Sequence, residues 1–182
     1  MCPDRQAGVT LVEMIVFIVV VAVAVAGVLG ALNMATRSSA DPLIQKQALA
    51  IAESLLEEVQ MMPFTVCDPD DANAATAVVT GDCASLPEGI GTEGAETRYS
   101  ATTPFDNVSD YHGFAMTGIV DASGAAIPAL AGYNATVSVA SHAFGGIPAA
   151  QSVLITVTVT GPANTTVALQ GLRTRFAPNA LP

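Results

Sequence analysis

Basic residues are what this chain has least of. Six Lys and Arg stand against 16 Asp and Glu, a formal net charge of −10 over 182 residues. A nucleic-acid partner needs a basic face for its phosphates, so nucleic acid is excluded. Polybasic docking to anionic lipid is excluded on the same ground, which leaves any membrane contact to apolar sequence alone. Charge of either sign is sparse, at 12% of residues. Such a surface suits packing against like subunits, or an extracytoplasmic setting, better than a cytosolic enzyme. The signatures of catalysis are missing too. There is no Gly-x-Ser-x-Gly, no phosphate-binding loop and no dinucleotide fingerprint, and Gly145-Gly146 reads as a loop. His112 and His142 stand apart without Cys–His or Glu–His ligand spacing, and read as surface or satisfied polar residues. The expectation is a protein that is not an enzyme and needs no cofactor.

The longest absence of charge is the most informative. After Glu13 no charged residue occurs until Arg37, and Met14 to Leu32 is an unbroken run of 19 apolar residues. About 20 such residues cross a bilayer as a helix, so a transmembrane span is expected at about 14–34. A secretory signal would have a basic start and a shorter apolar core, whereas Met1–Gly8 is nearly neutral. A plain anchor fits the length but not Glu13. A carboxylate costs roughly 2.5–3.5 kcal/mol if drawn to the bilayer centre. One innocent role remains: Thr10-Leu-Val-Glu13 matches the capping box, in which hydroxyl and carboxylate satisfy the first helical amides. The other role is a partner outside its own helix.

Beyond the span, Asp41-Pro42 reads as an N-cap before a first-turn proline, a kink or a fresh start within one long helix. Ile44, Ala48, Ile51, Leu55, Val59 and Met62 then recur at helical spacing, a stripe that docks on a sheet, and Pro63 ends the helix. Past residue 95 the pattern turns to β-prone segments at 97–103, 114–120, 133–141, 152–160 and 165–176. Val153, Ile155, Val157 and Val159 alternate along one of them, and Gly161-Pro-Ala-Asn164 makes a hairpin turn. A long helix laid on an antiparallel sheet is an α+β arrangement. Three cysteines leave one over; if the first residues are removed, Cys2 goes with them. Cys67 and Cys83 then remain, 16 residues apart across a turn-rich stretch. They suit a disulfide in an oxidising compartment, against the alternative of two buried thiols in a reducing one. Asp68, Asp70, Asp71 and Asn73 form an oxygen-rich cluster. It is a weak calcium candidate, because the glycine and twelfth-position glutamate of a helix-loop-helix calcium site are missing, and a solvated turn is the simpler reading. Arg173 and Arg175 share a strand face, read as solvated or as facing a neighbour's acidic groups.

Gly8 before Val9-Thr-Leu-Val-Glu13 and an apolar helix resembles the class III signal of type IV pilins and type II secretion pseudopilins. The resemblance implies cleavage between Gly8 and Val9 by prepilin peptidase, N-methylation of Val9, and an assembly role for Glu13. It departs from the family in having Val9 where Phe is usual, and in a leader where Asp4 offsets Arg5. The implied organisation is a leader at 1–8, a long helix at 9–62, a disulfide-tied loop at 63–96 and a sheet head at 97–182. The implied setting is the inner membrane with a periplasmic head, then the pilus at the cell surface. The implied partners are other pilin subunits, the peptidase, the inner-membrane assembly platform and membrane lipid. Residues 50–71, Asp110-Tyr-His-Gly-Phe114 and Arg173-Thr-Arg-Phe-Ala-Pro178 further resemble the MshD-type minor pilins of mannose-sensitive haemagglutinin pili. A tip adhesin using the Asp68–Glu96 loop and a secretion pseudopilin are the other readings.

Overall fold

The computed structural model describes residues 10–179; Cys2, Gly8 and Val9 lie outside them. The chain forms two compact units that divide between Leu43 and Ile44. One helix, α1 (Leu11–Met61), supplies the first unit and the opening of the second. Pro42 lies within α1 and does not start a new helix, contrary to the reading of Asp41-Pro42 as a cap. Its missing N–H removes one ladder bond, and the flanking turns carry the helical assignment past it.

In the first unit, Leu11–Met34 forms 24 residues long and apolar enough to cross a membrane. At 1.5 Å per residue this is about 36 Å, more than the ~30 Å hydrocarbon core. Every side chain from Leu11 to Met34 is exposed in the single chain. So large an apolar surface calls for lipid or like helices around it.

The second unit is an antiparallel sheet with the later turns of α1 in its core. The order is β1 (Ala115–Thr117), β2 (Asn134–Ser141), β3 (Ser152–Thr160), β4 (Thr166–Thr174), each paired to the next. Val137 faces Val157 in register, and Val157 faces Leu169. The period-2 pattern does the sorting: Ala135, Val137 and Val139 of β2, with Val153, Ile155, Val157 and Val159 of β3, are buried. They share one core with Ala48, Ala52, Leu55 and Val59 of α1, with Ile44, Ile51 and Met62 packed beside them. Gly171 of β4 marks a close approach: a Cβ there would collide with the Gln60 side-chain amide and meet Leu56 Cδ1 at 3.1 Å. The β3–β4 turn is the expected Gly161–Asn164, with Ala163 and Asn164 in the left-handed region.

Two expected strands differ. Residues 97–103 are turns, because Ser100 Oγ accepts the amides of Thr102 and Thr103 and the Thr97 amide closes onto the Thr103 carbonyl. Ser and Thr hydroxyls here outcompete ladder pairing. Of 114–120 only Ala115–Thr117 joins the sheet, since Gly118 turns the chain at φ +75°, and Val120 makes an isolated bridge to Ala126. The arginines differ as well. Arg173 donates to the Met62 carbonyl at the end of α1, where a cation suits the helix dipole. Arg175 lies 4.1 Å over the Phe64 ring and donates to the Ala150 carbonyl. Neither is a free solvated pair.

Between helix and sheet, Cys67 and Cys83 are joined by a disulfide, Cα atoms 5.6 Å apart. Closing a loop of this size stabilises the fold by about 3 kcal/mol on chain entropy. Asp71 holds the same loop: Oδ1 accepts the amides of Asn73 and Ala84, and Oδ2 those of Ser85 and Leu86. These bonds, led by the one from Ala84 and acting against burial, keep its carboxyl far below the ordinary carboxylate range.

Candidate functional site

Two places carry chemistry, one on each unit. At the start of α1 the Glu13 amide donates to Thr10 Oγ1 at 3.3 Å, and the Met14 amide to the Thr10 carbonyl at 3.2 Å. Thr10 is therefore the cap. Only its half of the capping box forms: among the described residues the Glu13 carboxylate has no partner, and the residue is exposed. The capping role does not use up the charge.

The second place is a concentration of carboxylates where the disulfide-tied loop meets the short helical turn Val108–Tyr111. Three groups each bring ligand oxygens within 4.8 Å of one another: Asp68, Glu93 and Glu96; Asp68, Asp70 and Asp106; Glu88, Glu93 and Asp110. Asp68 and Asp70 do converge, but with Asp106 as third member, while Asp71 is occupied by backbone amides. The loop and the turn are stitched by buried polar contacts. Asn107 Nδ2 donates to Thr65 Oγ1 at 2.7 Å, Thr65 Oγ1 donates to the Cys67 carbonyl at 2.6 Å, and the Ser109 hydroxyl donates to Glu88 Oε1. Asp110 Oδ2 accepts the amides of Asp106 and Asn107 at 3.0 and 2.7 Å.

Crowding shifts these groups upward. Burial, with Glu93, Asp110 and Asp68 nearby, pushes Glu88 up to about 9 despite the Ser109 bond. Burial raises Asp110 to about 7, against the amides that lower it, and raises Glu96 to about 7 and Asp106 to about 6 with their acidic neighbours. Arg175 is the cation whose field reaches Glu88. The folded chain thus holds protons that the unfolded chain releases. Their stabilising contribution is complete below the ordinary carboxylate values and is lost as pH rises through about 6 to 9. Asp71 and Glu58 are lowered and act in the opposite sense, removing stability in acid. Without divalent cations, melting followed by circular dichroism should peak near pH ~5 and fall by about 5 °C towards pH ~8.5. A flat profile over that range would refute the assigned shifts.

Comparison with known proteins bears on the first place. Residues 3–29 match the family model of the prokaryotic N-terminal methylation motif. The match takes in Gly8, Val9 and Glu13 and runs into the apolar half of α1. It supports the type IV pilin and pseudopilin family, whose members are structural subunits. No curated protein and no solved structure matches the chain. An N-terminal apolar helix followed by a four-stranded antiparallel sheet is a pilin-like α+β architecture.

Proposed function

We propose that the chain is a minor type IV pilin of the mannose-sensitive haemagglutinin type. It is held in the inner membrane by α1 with its head in the periplasm, and is then assembled into, or primes, a pilus. The observation that carries this reading is the methylation motif over residues 3–29, continuous with a helix long enough to span the bilayer. Prepilin peptidase cuts between Gly8 and Val9 and methylates the new amine. Glu13, uncommitted within its own helix, pairs with that amine on a neighbouring subunit. Pairing replaces an isolated carboxylate in a low-dielectric setting with a compensated one. The partners are other pilins, the peptidase, the assembly platform and lipid. The local likeness of residues 50–71, 110–114 and 173–178 to MshD-type subunits supports the finer assignment.

Mass spectrometry of the mature chain tests the class. The expected species begins at a methylated Val9; an intact Met1 in cells with active peptidase would overturn it. The finer assignment predicts that a knockout loses surface filaments and keeps type II secretion.

A further inference from the structure

We propose that Glu88, Glu93 and Asp110 form a calcium site that staples the disulfide-tied loop to the Val108–Tyr111 turn. The starting point is an unpaired oxygen in a place where one is costly. Asp110 is 1% exposed, and its Oδ1 is buried with no hydrogen-bond partner. Its Oδ2 is fixed by two backbone amides, so the carboxylate cannot turn away to solvent. Glu88 repeats the pattern: Oε1 takes the Ser109 hydroxyl, and Oε2 is buried without a partner. Native proteins seldom leave such atoms unsatisfied, and a bound cation is one of the few groups that satisfies two together.

The geometry and the charge agree. Oxygens of Glu88, Glu93 and Asp110 lie within 4.8 Å of one another. Two oxygens on one calcium ion, each ~2.4 Å from it, can be at most ~4.8 Å apart, so this spacing lets a single ion reach all three. Further negative charge adjoins through Glu93, which is shared with Asp68 and Glu96. One basic side chain acts on the cluster, Arg175, whose field reaches Glu88 without an ion pair between them. Among the described residues the one ion pair is Arg98 with Glu58; Arg175 is stacked over Phe64 with Nη1 on the Ala150 carbonyl and its buried Nε without a partner. Calcium accepts six to eight oxygens and keeps waters readily, so three carboxylates at the edge of a loop are a sufficient protein share. The ligands come from two segments, the loop at 88–93 and the turn at 110, so binding would close one onto the other. A cation bound only by the folded head raises its stability by mass action.

The test uses the full chain in detergent micelles, stripped with chelator and then titrated with calcium chloride. Calorimetry should give a saturable isotherm with a midpoint between ~10 μM and ~1 mM. The melting temperature should rise by about 5 °C at saturation. The variants Glu88→Gln and Asp110→Asn keep shape and hydrogen-bonding capacity while removing charge. Each should fold in chelator as the wild type does, and each should lose the calcium response by at least tenfold. Glu53→Gln, on an exposed part of α1, should respond as wild type. No heat and no shift up to 5 mM calcium would overturn the site. So would an equal response in the double variant Glu88→Gln/Asp110→Asn, or an equal response to magnesium, which marks diffuse screening.

Discussion

Glu13→Ala should leave the chain in the membrane and out of the filament. Insertion is governed by the 24-residue, predominantly apolar segment Leu11–Met34, and removing its one charge favours partition into lipid. The helix itself loses little. Thr10 still caps it, and the interaction of a carboxylate with the helix N-terminus contributes about 0.3–1 kcal/mol. What disappears on the proposed reading is the charge that meets the amine of a neighbour's processed Val9. The incorporated amount, measured by immunoblot of sheared filaments against membrane fractions, should fall at least tenfold while the membrane level holds. Glu13→Gln sharpens the result: it retains a hydrogen-bonding side chain and lacks the charge, so it should resemble Glu13→Ala. Wild-type incorporation of either variant would remove Glu13 from assembly.

How much of this was legible beforehand depends on how local the cause is. The apolar span and its carboxylate are contiguous, and Val153, Ile155, Val157 and Val159 announce a strand within a single segment. The docking face of α1 was readable in the same way, although its centre includes Ala52, which is fully buried beside Ile51 and too small to stand out in a stripe. Residues 97–103 misled because a run of Ser and Thr looks β-prone by composition. Its hydroxyls instead bond the adjacent backbone. The carboxylate cluster was hidden for a different reason. Asp68, Glu88, Glu93 and Asp110 are spread over 43 residues, and only the path of the tied loop brings them together. The acidic character of that loop was visible; which of its oxygens would end without partners was not. Arg173 was likewise misplaced, because its partner is a backbone carbonyl, Met62, 111 residues away in sequence.

The same long-range logic gives the largest expected loss of stability, at Glu58. This residue sits on the last turns of α1 and holds three donors from two other segments. Arg98 Nε and Nη2 donate to Oε1 and Oε2 at 2.5 and 2.6 Å, and the Tyr111 hydroxyl donates to Oε1 at 2.8 Å. Burial disfavours its charge, but the bonds from Arg98 and Tyr111 prevail and keep its carboxyl below the ordinary value. The same bonds raise Arg98, and burial beside the carboxylate raises Tyr111. Truncation leaves a largely buried guanidinium without its counter-ion, and a phenol that is 1% exposed without an acceptor. Breaking a buried pair from one side costs about 3–5 kcal/mol. Because Glu58 keeps some contact with water, about 2–3 kcal/mol is the better expectation. Against a total of about 5–15 kcal/mol that is a large fraction, and Glu58→Ala should melt about 5–10 °C lower. Removing both partners should cost less than the sum of the single losses. Arg98→Ala leaves the half-exposed Glu58 to water, and the double variant leaves no buried charge unpaired. A double-mutant cycle at pH ~6 should therefore return a coupling of at least ~1 kcal/mol. A coupling indistinguishable from zero would make the pair a surface ornament, and the 111 segment would then be held to α1 by the apolar core that Val108 and Tyr111 share with Leu55 and Val59.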